Sequence, residues 1–99
     1  MYLVRDIMYC KPGSAREMVN RFKAISKLMK KAGSKPMRIL TDVSAERYWT
    51  VVAEMEVKSL EEFVEESRGL MNDKAMQKIM KGYHDHVTGG RREIYMVEG

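Results

Sequence analysis

The residues with the most chemical potential are His84-Asp85-His86, Asp6, Tyr48-Trp49 and Cys10-Lys11. Two imidazoles separated by one residue face the same way on an extended backbone, so they could pinch one metal ion. Such a site needs a third ligand at fixed spacing, and the single cysteine, Cys10, has no companion. No metal is therefore expected, and the triplet reads as a polar connection after a helix, where histidine suits the negative end of the dipole. Asp6 is the sharper case. It stands inside an apolar run, where a carboxylate must be paired or put to use. Used, it is a general base or hydrogen-bond acceptor in a cavity. Paired, its partner is Arg38, Arg47 or Arg92. Tyr48 and Trp49 at the start of the third strand could form an aromatic wall for a flat ligand, with Met55 further along on the parity of Trp49; the plainer reading of the aromatics is interface or core. Tyr83 and His84 complete the expected ligand-facing set. Cys10 beside Lys11 has surroundings that can lower a thiol pKa, or it is a small buried hydrophobe at a strand end.

The elements that must position these residues are clearly punctuated. Tyr2 to Cys10 is rich in strand-forming residues and is broken by Lys11-Pro12-Gly13. Ser14-Ala15-Arg16-Glu17 fits a capping box. Met18, Phe22, Ile25, Met29 and Ala32 then recur at helical spacing, until Gly33 and Pro36 end the run. Met37 to Val43 and Tyr48 to Val57 read as strands of a hairpin joined by Ser44-Ala45-Glu46-Arg47. Ser59-Leu60-Glu61-Glu62 opens a second helix with apolar face Leu60, Phe63, Val64, Leu70 and Met71, which Asn72-Asp73 interrupts. A continuation carries Met76, Ile79 and Met80 to Gly82, and after Gly89-Gly90 the last strand runs from Arg92 to Val97. The order β-α-β-β-α-β predicts an α+β, ferredoxin-like domain over residues 1–99: a four-stranded antiparallel sheet with both helices on one face.

Composition narrows the class further. A chain of 99 residues with net charge +4 is one small domain with a marginal core. One cysteine excludes a disulfide framework and suits a reducing compartment. No apolar run is long enough to span a bilayer, and the N-terminus lacks the features of a signal peptide, so a cytoplasmic location without membrane attachment is expected. Most methionines fall on predicted apolar stripes, where they fill gaps. The first half is basic and the second acidic, which a solvated surface explains. RNA-recognition motifs share this element order, but Arg47-Tyr48-Trp49-Thr50-Val51-Val52 lacks their glycine and spaced aromatics, so no nucleic-acid partner is expected.

The sheet's second face sets the last expectation. Trp49, Val51, Ala53, Met55 and Val57 form a wholly apolar parity, while Tyr48, Thr50, Val52, Glu54 and Glu56 are apolar at one end only. On the first strand, Tyr2, Val4, Asp6, Met8, Cys10 and the opposite set Leu3, Arg5, Ile7, Tyr9 are both largely apolar. With one helical layer, a face remains to be covered. A second identical chain related by a two-fold axis would cover it, so a homodimer is expected.

The strand ending in Lys11-Pro12-Gly13, the segments Arg38 to Val43 and Thr50 to Glu56, the cap Ser59 to Phe63 and the ending Gly89 to Tyr95 together resemble the small bacterial NIPSNAP-like proteins. These are similar in turn to the dimeric α+β barrel superfamily, which includes antibiotic-biosynthesis-type and haem-degrading monooxygenases. The resemblance covers nearly the whole chain. It implies two ferredoxin-like subunits joined through their sheets into a barrel, with a cavity between each sheet and its helices. The haem-degrading members use an Asn, a Trp and a His at positions that fall on Asp6, near Met55 and near Ile79 here. Trp49 lies about six residues before the expected Trp and His84 comes too late, so haem and other cofactors are not expected. The function expected is a homodimeric binding or assembly module that holds a small apolar molecule or merely pairs subunits. The alternative is a cofactor-independent monooxygenase or isomerase acting on an aromatic or polyketide-like substrate, with Asp6 moving a proton and Trp49 and Met55 as walls.

Overall fold

The computed structural model describes residues 1–99. The chain runs β1 (Tyr2–Cys10), α1 (Ala15–Lys31), β2 (Arg38–Thr41), β3 (Thr50–Val57), α2 (Leu60–Met71), α3 (Lys74–Met80), a short 3-10 turn (Tyr83–Asp85) and β4 (Val87–Met96). The strands form one antiparallel sheet in the order β2-β3-β1-β4. This is the expected ferredoxin-like plan, with the second helical region divided at Asn72-Asp73. No helix is long and apolar enough to cross a membrane.

Helix α1 buries Met18, Val19, Phe22, Ile25 and Met29 and turns its lysines outward, as its periodicity requires. Together with Cys10, Val51 and Ala53 these residues make the core. Gly33 ends the helix in the left-handed region at φ 88. Its N–H bonds the Lys30 carbonyl at 3.1 Å and the Ser34 N–H bonds that of Met29 at 2.9 Å, a complete Schellman motif. The start of α1 differs from expectation. Ser14 makes no capping bond; its hydroxyl lies 3.3 Å from His86 Nδ1 instead. The later caps form: Ser59 Oγ accepts from the Glu62 N–H at 3.3 Å and Asp73 Oδ1 from the Ala75 N–H at 2.7 Å. Arg21 reaches across to α3 and donates to the carbonyls of Ile79 and Lys81, both at 2.7 Å, supplying the end of that short helix with a cation.

Three boundaries move. β2 begins at Arg38 because the Met37 N–H donates to Ser26 Oγ, 2.9 Å away. The connection to β3 covers residues 42–49: Asp42 Oδ1 accepts from the Thr50 N–H at 2.8 Å, and Trp49 leaves the strand conformation at φ 60. β4 begins at Val87, not Arg92, so Gly89-Gly90 lies within a strand. Gly89 pairs with Tyr9 but Val87 with Cys10, leaving a bulge at Thr88. At Gly90 a Cβ would stand 2.6 Å from the Ile7 carbonyl oxygen, so Gly90 marks a close backbone approach within the strand.

The two sheet faces are unlike. Val4, Asp6, Met8, Cys10, Val51, Ala53 and Met55 look toward the helices. The outer face is built of cross-strand rows, since directly paired residues share a side. One row is Leu40-Val52-Ile7-Arg91 and the next is Arg38-Glu54-Arg5-Glu93, each with one residue from β2, β3, β1 and β4 in that order. A third runs Glu56-Leu3-Tyr95. The expectation of a largely apolar second face thus holds for the flanking rows and fails in the middle one, which is wholly charged. The 42–49 connection also folds over part of this face: Arg47 sits 4.3 Å above the Tyr9 ring and Glu46 lies 3.3 Å from Arg91.

Gly90→Ala should therefore destabilise the fold by about 1–3 kcal/mol through overpacking. Gly89→Ala, where an added Cβ meets nothing within 4 Å, should change stability by well under about 1 kcal/mol. Urea denaturation of both variants checks the difference.

Candidate functional site

A cleft of about 190 Å³ opens where the end of α1, the end of β3 and the start of α2 converge. Met29, Met55 and Phe63 give it an apolar floor, and Lys35, Lys58 and Glu62 stand at its rim. Ligand pockets for drug-sized molecules run to about 300–1,000 Å³, so this one suits only a small molecule. Phe63 is the one well-buried residue of the predicted α2 stripe; Leu60, Val64 and Met71 remain exposed. The Phe63 ring also carries Arg92, whose guanidinium carbon lies 5.1 Å from the ring centroid. Arg92 in turn donates to both oxygens of Asp6, at 2.6 and 3.3 Å. The carboxylate is thus held in a forked ion pair, and its partner is one of the three arginines the sequence offers.

The structure brings Asp6 and Met55 into one neighbourhood through Phe63, and sets the other sequence candidates apart. Met55 pairs with Val4 near the Tyr2 end of β1. The Trp49 carbonyl accepts from the Cys10 N–H at 2.9 Å, at the opposite end. Six residues of strand separate Trp49 from Met55, roughly 20 Å. Trp49 is 43% exposed and adopts a left-handed backbone, which costs a bulky residue on the order of 1–3 kcal/mol. Tyr83 and His84 also lie at the Cys10 end, just before β4. Their rings stack with centroids 3.9 Å apart; Tyr83 packs on the core and His84 is exposed. Residues 83–85 form a 3-10 turn, not the extended backbone that would align His84 with His86, and His86 faces Ser14.

The outer face holds the residues that single-strand reading missed. Glu54 is buried, at 6% exposure, between two guanidiniums. Its Oε1 accepts from Arg38 Nε at 2.9 Å and also from Arg38 Nη2, and its Oε2 lies 3.4 Å from Arg5 Nε. Arg5 Nη1 continues to Glu93 at 3.5 Å, Glu93 to Arg91 at 3.0 Å and Arg91 to Glu46 at 3.3 Å. The hydrogen bond from Arg38 to Glu54, with its charge, pushes the Arg38 pKa further up, and Glu46 does the same for Arg91. The signal was present as alternating signs at matched register, which appears only once the strands are aligned. On the helix side, burial first and the Asp42 charge second push the Cys10 thiol above its ordinary value, so the reading of Cys10 as a small buried hydrophobe is the one the geometry supports.

No family model matches the sequence, and neither does any curated protein. Among solved structures the chain is similar to a NIPSNAP family protein from Agrobacterium tumefaciens, with a TM-score of 0.82 at 13% identity, covering 98% of this chain and 92% of that one. An uncharacterized NIPSNAP-like domain protein from Burkholderia xenovorans gives 0.76 at 16% identity, over 98% and 84%. A Deinococcus radiodurans protein named after the antibiotic biosynthesis monooxygenases gives 0.71 at 9% identity, over 100% and 94%. At these identities the shared property is the fold.

Two outcomes follow from this geometry. Asp6 and Arg92 are both partly solvent-exposed, so a double-mutant cycle of Asp6→Asn with Arg92→Met should return a coupling of no more than about 1 kcal/mol. For Cys10 the unfolded chain ionises first, so the native state loses stability as pH climbs past about 9 and is unaffected well below that. The stability advantage of wild type over Cys10→Ala should accordingly shrink between about pH 8 and about pH 10 in urea titrations.

Proposed function

We propose that the protein is a NIPSNAP-like dimeric α+β barrel subunit: a homodimer joined through the outer faces of its two sheets, acting as a binding and assembly module. The helix-side cleft is its seat for a small, largely apolar molecule. The outer face carries this reading. No helix covers it, and its flanking rows present Leu3, Leu40 and Tyr95, the last two 36% and 48% exposed in the single chain. Its central charges are already matched to one another, so covering that row leaves none of its ions without a partner. A second copy related by a two-fold axis is the simplest cover, and the NIPSNAP-like fold is shared with solved structures.

The cleft supports binding better than proton transfer. Its apolar floor of Met29, Met55 and Phe63 favours an apolar guest. Both oxygens of Asp6 are engaged by Arg92, so a monooxygenase or isomerase using Asp6 as base would first have to break that pair. Trp49, Tyr83 and His84 belong to the far end of the sheet and would serve a different contact.

Sedimentation equilibrium at micromolar concentration should return twice the chain mass of 11.5 kDa, and Leu40→Glu with Tyr95→Glu should return the chain mass with the fold intact by circular dichroism. A wild-type protein that stays at the single-chain mass overturns the reading.

A further inference from the structure

The middle row of the outer face reads Arg38, Glu54, Arg5, Glu93 across β2, β3, β1 and β4. Its signs alternate, so the row ends in a cation on one sheet edge and an anion on the other. Inside one chain the row is self-neutral and connected: Arg38 bonds Glu54, and Arg5 touches Glu54 at 3.4 Å and Glu93 at 3.5 Å. Its β2 terminus is open, since the Arg38 side chain is 77% exposed.

A two-fold axis that sets two such faces together lies in the plane between them, and it can run in two principal ways. Parallel to the strands, it exchanges the sheet edges. Each Arg of the row then faces a Glu of the other copy: Arg38 opposite the partner's Glu93, and Arg5 opposite the partner's Glu54. Parallel to the row, it lays Arg on Arg and Glu on Glu. Like charges across an interface cost several kcal/mol, and unlike ones set the register. We infer that this charged row is a self-recognition code, selecting as partner a second copy of this chain in the orientation that places β2 of one protomer opposite β4 of the other. The inference rests on the homodimer proposed above and adds the residues that choose its orientation.

The apolar rows do not make this choice. Leu40, Tyr95 and Leu3, the apolar side chains this face leaves accessible, attract a second sheet in either orientation, because burial of apolar area is non-directional. The polarity of the row, by contrast, favours one axis over the other.

A charge-swap experiment tests this. Arg38→Glu alone and Glu93→Arg alone each place two like-charge pairs across the proposed homodimer, so each should raise the dimer Kd by about 10- to 100-fold. Mixed in equal amounts they should form a heterodimer with Kd near the wild-type value, seen by native mass spectrometry as a heterodimer fraction well above statistical. The strain each substitution puts on its own sheet is the same in homodimer and heterodimer, so it cancels in that comparison. Dimers of the single variants as tight as wild type, or statistical mixing, would overturn the code while leaving the homodimer standing. A monomeric wild type would instead remove the homodimer itself.

Discussion

Glu54 is the residue around which the sheet is organised. A buried carboxylate is tolerable only if its oxygens are engaged by cations or donors, and here Arg38 serves one oxygen and Arg5 the other. That requirement ties β2, β3 and β1 together in a single register, because a slip of one residue would turn Glu54 or one of its arginines to the helix side. β2 is only four residues long and offers few ladder bonds, so the Arg38 ion pair adds to the core packing of Ile39 and the Met37–Ser26 bond in setting its position. From Arg5 the charge alternation passes to Glu93 and β4. Thus a constraint arising at one side chain reaches all four strands.

The helix side obeys a different rule. There the register is held by apolar area: α1 buries a full stripe against Val51 and Ala53, whereas α2 buries only Phe63 deeply. The loosely seated α2 leaves a gap against α1, and that gap is the cleft. α3 is held independently, because Arg21 of α1 grips its terminal carbonyls.

Much of this was legible in the residues alone. Periodicity and glycine placement located α1 to within a residue, and Ser59 and Asp73 announced the two later helix starts. The first strand needed no adjustment. The errors have physical causes. Ser14 reads as a cap until His86, far away in sequence, competes for its hydroxyl. Gly89-Gly90 reads as the boundary before the last strand until the Ile7 carbonyl is seen to press against Gly90. Asp6 was recognised as a carboxylate needing a partner, but which arginine supplied it depended on the pairing of β1 with β4. By spacing Trp49 continues the β3 parity with Met55, but its left-handed backbone shows that the strand has not yet begun. The charged row escaped notice because each member looks like an ordinary solvent-facing residue of its own strand.

The arrangement of the outer charges also decides where the net charge of the molecule resides. The row and its extension through Arg91 to Glu46 cancel internally, and no lysine enters any ion pair. The formal surplus of +4 is therefore worn by the helical shell, where α1 displays Lys23, Lys27 and Lys31 to solvent. Objects with positive coats and neutral seams repel one another at long range yet meet no electrostatic barrier at short range on one particular side. The charge that keeps copies of this small molecule apart thus sits on the surface opposite its internally neutral sheet face.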